Sequence, residues 1–218
     1  MTARSPSSRH DELMELARST RGFMPDAEGL ALFHAAHRCA RTRTPAVLLE
    51  IGAWCGKSTI YLGAAAEACG AVLFSVDHHR GSEENQVGWE HHDPTLVEPE
   101  DGRIDTLPHW RRTIAKARLE SSVIGVVGDS PTTARLWRTP LDFCFIDGGH
   151  GERPAWADYR GWAPHVAPGG LLAIHDVFEN PDDGGRPPYD LWRHALKSGL
   201  FEEESAEGSL RVLRKVLL

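Results

Sequence analysis

The sequence predicts an α/β fold: a doubly wound, mostly parallel sheet of seven strands with helices on both faces. Three observations carry this. Short apolar runs alternate with helical stretches along most of the chain. The runs AVLLEIG, AVLFSVD, LDFCFID and GLLAIHD are near-continuously apolar, as strands buried on both faces require. The first of them passes through a glycine turn, EIGAWCGKST, directly into a helix.

Before the first run, residues 11–19 and 26–41 read as two helices of an N-terminal extension covering 1–44. Asp26 is placed to cap the second, and Leu30, Leu32, Phe33 and Ala36 line one of its faces. Strands follow at 46–52, 71–77, 123–128, 141–147 and 170–175, with helices at 57–69, 109–119, 131–138 and 153–166. Residues 78–108 are polar and rich in turn formers, and a connection of that length is either a functional lid or a disordered segment. Trp89, His91 and His92 favour the lid. Residues 181–188 (PDDGGRPP) form a turn-rich loop, 189–198 a helix, and 201–204 with 209–216 a closing antiparallel pair. No internal repeat is visible, and a single domain over 1–218 accommodates every element.

With 41% hydrophobic and 25% charged residues, the chain has the balance of an ordinary globular protein. A net charge of -7 leaves no basic excess to displace counterions from a phosphate backbone, so no nucleic-acid partner is expected. No run approaches the roughly 18 apolar residues of a membrane-spanning helix. The opening MTARSPSSRHDELMEL has no apolar core of the signal-peptide kind. Cys39, Cys55, Cys69 and Cys144 form no CxxC pair and fall within apolar segments, which reads as free buried thiols. A cytoplasmic protein without membrane attachment follows.

In the glycine turn, Gly52 permits the tight reversal and Gly56 lets backbone approach a ligand at the helix start. The amides of that first helical turn, with Ser58, offer a site for a carboxylate or phosphate. The pattern is not a dinucleotide fingerprint, which needs glycine where Trp54 stands. Nor is it a P-loop, because Ile51 occupies the place of the required first glycine. Asp77 ends the second strand, where an acid can accept hydrogen bonds from both hydroxyls of a ribose. Asp129 and Ser130 follow the third strand and can meet an adenine amino group. With Glu50, three consecutive strand ends carry acids at the edge of the sheet where such folds bind ligands.

LLEIGAWCGKST resembles the first motif of class I S-adenosylmethionine-dependent methyltransferases, particularly the catechol O-methyltransferase-like group with its E-x-G-x-x-x-G-x-S turn. GDSPTTARLW, LDFCFIDGGH and WAPHVAPGGLLAIHDV follow in the same order, and the resemblance covers about residues 22–176. It implies a Rossmann-like sheet whose last strand is antiparallel, with S-adenosylmethionine as cofactor. Glu50 and Ser58 would handle the methionine end, with Trp54 lining it and Gly52 and Gly56 shaping the turn. Asp77 would hold the ribose, with His78 beside it, and Asp129 and Ser130 would meet the adenine. Trp54 departs from the broad superfamily, which has glycine there, and agrees with this group. Homodimers are common in the group, and this sequence permits one.

The fourth and fifth strands end in IDGGH and AIHD, so Asp147, His150, His175 and Asp176 can converge beside the transferred methyl. Such a set can hold a divalent metal, whose charge lowers the pKa of a substrate hydroxyl. In the catechol-type enzymes, an Asp after the fourth strand and an Asp-Asn pair after the fifth bind magnesium. Asp147 and Asp176 match the two acids, while Val177 stands in place of the Asn. His175 resembles the acid that precedes this aspartate in macrolide-sugar methyltransferases, and a histidine moves the preference from magnesium towards manganese, iron or zinc. His150 takes the place of the catalytic lysine and reads as the general base, with Asp147 beside it. The expected activity is O-methylation of a small-molecule acceptor. Two other readings stay open: a metal-dependent hydroxylase-like enzyme on the same fold, and a non-catalytic cofactor-binding module. The glycine pattern disfavours a nicotinamide-dependent reductase.

Overall fold

The computed structural model describes residues 6–89, 91–180 and 182–217. Residues 1–5 of the expected N-terminal extension and Pro181 of the expected loop lie outside the described residues. Helices α1 (Pro6–Ser19) and α2 (Asp26–Ala40) come first. On α2, Glu28, Leu32, Ala35, Ala36 and Cys39 are buried, a spacing that sets them on one helical face. Asp26 is not the cap expected of it. Pro25, preset to an extended conformation, occupies the cap position, and Asp26 is the first helical residue. Its carboxylate lies instead within 3.6 Å of Arg18 Nε and 3.7 Å of Lys57 Nζ.

The sheet is formed by β1 (Val47–Ile51), β2 (Val72–Asp77), β3 (Val123–Val127), β4 (Leu141–Ile146), β5 (Val166–Ile174), β6 (Phe201–Glu207) and β7 (Leu210–Lys215). Helices α3 (Lys57–Cys69), α4 (Leu107–Ala117), α5 (Ser130–Leu136), α6 (Glu152–Trp162) and α7 (Arg186–Lys197) connect them. The strand order is β3-β2-β1-β4-β5-β7-β6. β7 pairs antiparallel with both β5 and β6, so it alone runs against the others. Strand alternation divides the core in two. Leu48, Phe143 and Phe145 face α2 and α3, while Leu49, Ile51, Cys144 and Ile146 face α5 and α6.

The expected elements at 153–166 and 170–175 meet differently from the prediction. α6 ends at Trp162, and after a short 3-10 turn (Ala163–His165) β5 begins at Val166. Pro164 accounts for this, since it cannot supply the N–H that the helix interior needs. The polar stretch after β2 is also more ordered than its composition suggests. It contains 3-10 turns at Glu83–Asn85 and Pro94–Leu96 and a bridge between Val97 and Ile104. Leu96 and Ile104 pack on Cys55 of the glycine turn and anchor the segment there. All four cysteines are free, with Cys39, Cys55 and Cys144 buried and Cys69 partly so. Among the described residues, no helix is long and apolar enough to cross a membrane.

Chain direction leaves the sheet centre at β1, with β2 on one side and β4 on the other. A crevice opens beyond the carboxyl ends of strands at such a reversal point.

Candidate active site

The loop after β1 lies across this crevice. Gly52 has φ +86°, and a Cβ there would sit 2.0 Å from the Asp147 carbonyl oxygen, so only glycine lets the ends of β1 and β4 approach. Trp54 also takes a left-handed φ of 48°. Asp77 holds this turn. Its Oδ2 accepts hydrogen bonds from the Ala53 amide (2.8 Å) and the Trp54 amide (2.9 Å), and its Oδ1 accepts one from the His79 amide (2.7 Å).

Two residues expected to meet the cofactor do other work. Glu50 is fully buried and is not part of the cleft wall. It shares its strand face with Leu48, and its carboxylate accepts from Ser58 Oγ (2.9 Å), Thr59 Oγ1 (2.5 Å) and Ser75 Oγ (2.6 Å). Burial pushes its pKa up to about 7 in spite of these three donors. Glu50 therefore ties β1 to α3 and β2 from beneath. Gly56 also lies off the cleft wall. Its missing side chain admits Thr113 and Trp110 of α4, within 3.3 Å of where a Cβ would be.

The remaining predicted residues line one cleft of about 1090 Å³. Gly52, Trp54, Ser58, Asp77 and the exposed His78 form one side, with Asp129 and Ser130 at its far end. Asp129 is exposed and caps α5, accepting from the Thr132 amide at 2.9 Å, and these bonds lower its pKa. Ser130 Oγ donates to Asp158 Oδ1 at 2.5 Å and accepts from Trp162 Nε1 at 2.8 Å. Asp158, on the same wall and unforeseen from sequence, is pushed up to about 6 by burial. The fit to S-adenosylmethionine rests on the chemistry of this wall. An acid ends each of β2 and β3, and the buried Trp54 Nε1 has no hydrogen-bond partner in the protein. Asp77 keeps acceptor capacity on Oδ1 for a ribose hydroxyl.

At the other end of the cleft, carboxylates and imidazoles alternate. His175, 5% exposed, has Nε2 2.6 Å from Glu28 Oε2 and Nδ1 2.9 Å from Asp147 Oδ1 and 3.4 Å from Asp176 Oδ2. His150 donates from Nδ1 to Glu84 Oε2 at 2.9 Å. Its Nε2 is 2.9 Å from Asp176 Oδ2, close enough for an ion pair but off the line of an N–H···O bond. Burial lowers the pKa of His150, but Asp176 and Glu84 outweigh it and push the value to about 10. His175 is likewise held well above its ordinary value by Asp147, Asp176 and Glu28 against burial. Burial raises Asp147, whereas the two imidazoles overcome burial to lower Asp176. Both acids thus favour the protonated form of the His150 imidazole.

His175 Nδ1 and one oxygen each of Asp147 and Asp176 lie within 4.8 Å of one another, a set that fits a divalent metal. Among the described residues, two histidines of the segment after β2 are engaged elsewhere. His79 Nδ1 pairs with Thr106 Oγ1, and His92 Nδ1 with the Asn85 carbonyl. Sequence reading missed Glu28, Glu84 and Asp158. Only Glu28 left a signal, as an acid on the buried face of an amphipathic helix.

A methyltransferase-domain family matches residues 49–177, which is more than half of the chain. Solved structures share the fold. The O-methyltransferase NovP superposes with a TM-score of 0.73 at 15% identity, covering 98% of this chain and 100% of its own. An O-methyltransferase from Bacillus cereus in complex with SAH gives 0.63 at 14% identity, covering 100% and 93%. TomG from Streptomyces achromogenes, an O-methyltransferase of tomaymycin synthesis in complex with SAM, gives 0.60 at 15%, covering 99% and 91%.

Proposed function

The chain belongs to the methyltransferase-domain family and is an S-adenosylmethionine-dependent methyltransferase; we propose that it methylates a hydroxyl oxygen of a small molecule. The observation that carries this reading is the convergence of Asp147, His150, His175 and Asp176 in one cleft, at the ends of β4 and β5 beside the glycine turn. Bound S-adenosylmethionine supplies a methyl group on a positively charged sulfur. Binding it is the task of Trp54 and Ser58 at the methionine end, Asp77 with His78 at the ribose, and Asp129 with Ser130 at the adenine.

Asp147, His175 and Asp176 are the residues that would hold a divalent metal, whose charge would lower the pKa of a neighbouring hydroxyl. His150 is the group to receive the hydroxyl proton, at Nε2, the nitrogen without an aligned partner, while Glu84 holds the ring through Nδ1. The segment over residues 78–106 acts as the lid, with Trp89, 58% exposed, available to cover an acceptor.

The test is incubation of the purified protein with methyl-labelled S-adenosylmethionine and a panel of phenols and sugars, with and without added Mg2+ or Mn2+. Labelled ether together with S-adenosylhomocysteine is expected. Oxygen consumption with no S-adenosylhomocysteine would overturn the proposal in favour of an oxygenase-type reaction.

A further inference from the structure

Glu28 lies outside the cofactor clamp, and yet two distant parts of the chain close around its carboxylate. It is 5% exposed. Oε1 accepts from the Ser209 amide at 2.6 Å, and Oε2 accepts from Ser209 Oγ at 3.2 Å as well as facing His175 Nε2 at 2.6 Å. A side chain at Gly208 would run into Glu28 Oε1 at 2.1 Å, so the β6–β7 turn is shaped to fit this acid. Burying a carboxylate is costly unless it is paired and hydrogen-bonded, and packing α2 on the sheet needs only apolar residues. The position of the acid is explained by what it does to the imidazole.

A neutral imidazole has one donor nitrogen and one acceptor nitrogen. Glu28, an acceptor, claims the hydrogen on Nε2. Nδ1 is then the nitrogen directed at Asp147 Oδ1 and Asp176 Oδ2, 2.9 and 3.4 Å away. Without a metal, Nδ1 donates to Asp147 Oδ1; a divalent cation held by Asp147 and Asp176 would displace that hydrogen and leave the one on Nε2 with Glu28. We propose that Glu28 is a positioning residue that fixes His175 as the Nε2–H tautomer, so that Nδ1, Asp147 and Asp176 form a nitrogen–oxygen site that takes Mn2+ or Zn2+ in preference to Mg2+. A carboxylate hydrogen-bonded to the far nitrogen of a ligating histidine orients the ring and raises its basicity. One nitrogen among the oxygens moves the preference towards the transition ions. This inference rests on the metal reading given above, which concerns the three ligands but assigns nothing to Glu28.

The test is titration of the metal-free protein with Mn2+ and with Mg2+ by calorimetry, for wild type, Glu28→Gln and His175→Asp, each checked for S-adenosylhomocysteine binding and melting temperature. Wild type is expected to prefer Mn2+. Glu28→Gln is expected to lose about 10–100-fold in Mn2+ affinity, and His175→Asp to recover Mg2+ binding. A folded Glu28→Gln protein with wild-type Mn2+ affinity, even with a lowered melting temperature, makes Glu28 merely structural and overturns the inference while leaving the metal reading intact. A wild-type protein that binds S-adenosylhomocysteine but no Mn2+ overturns both. If Glu28→Gln does not fold, the imidazole 15N shifts of the wild type with Zn2+ decide: hydrogen on Nε2 with zinc on Nδ1 supports the inference, and the reverse tautomer refutes it.

Discussion

Replacing Glu50 by glutamine tests whether this acid is a structural tie or a cofactor ligand. The carboxyl is fully buried, and its pKa rises from an ordinary 4.5 to about 7. The folded protein therefore binds more protons than the unfolded chain between those two values, and stability is lost as pH rises through that window. A rise of this size corresponds to about 3 kcal/mol, most of it falling between pH 5 and pH 8. Glutamine has the same shape and no titration, and the hydroxyls of Ser58, Thr59 and Ser75 can rotate to accept from its amide. Urea unfolding of both proteins near pH 5 and pH 8 isolates the effect, because every other titrating group is common to the pair and cancels. Wild type should lose about 3 kcal/mol relative to Glu50→Gln between the acidic and alkaline limits. Affinity for S-adenosylhomocysteine should change by only a few-fold, since Glu50 is not on the cleft wall. Identical pH slopes would refute the burial reasoning, and a folded variant that no longer binds S-adenosylhomocysteine would return Glu50 to the cofactor site.

Asp77→Ala removes a charged acceptor of the kind whose hydrogen bonds contribute about 1.5–3 kcal/mol, so S-adenosylhomocysteine affinity should fall about 10–100-fold by calorimetry; unchanged affinity excludes the ribose role. His150→Ala should lower kcat by about 10²–10⁴-fold with cofactor affinity nearly constant, as loss of general acid–base catalysis does. Full turnover in that variant ends its candidacy as the base. Gly52→Ala forces a side chain into a left-handed conformation costing roughly 1–2 kcal/mol and into contact with the Asp147 carbonyl oxygen. Its melting temperature and S-adenosylhomocysteine binding should both drop, and wild-type values for both would mean that the turn relaxes around a Cβ.

Local pattern carried most of the fold. Helix α3 lies where its residues predicted, and strands β1 to β4 start and end within one residue of their apolar runs. The misplaced boundary at β5 came from carrying the helix through APHV to residue 166, where Pro164 had already ended it. At the site, strand-end residues such as Asp77, Asp147 and Asp176 were legible because an element boundary and a polar residue coincide in sequence. Glu50 was legible as special but not as buried, because the face it takes depends on which helix covers that side of β1. Glu84 and Asp158 could not be found this way. Each is identified by a partner far along the chain, 66 residues from Glu84 to His150 and 28 from Ser130 to Asp158, and neither separation has a local signature.

These separations also explain why the two halves of the cleft differ in kind. The glycine-turn side is built from consecutive segments, so β1, the turn and α3 carry their own geometry, and Asp77 of the adjoining strand completes it through backbone amides. The acid–imidazole side is assembled from α2, the segment after β2, the ends of β4 and β5, and the β6–β7 turn, and it exists only when all of them have docked. A side that depends on five distant segments can change its ligands one residue at a time without disturbing the cofactor clamp. The histidine at position 175 is accommodated there because Glu28, itself held by Ser209, lies where it can satisfy the far nitrogen. The chemistry that distinguishes this chain is accordingly expected at Glu28, Glu84, His150 and His175, and the shared chemistry at Gly52, Trp54 and Asp77.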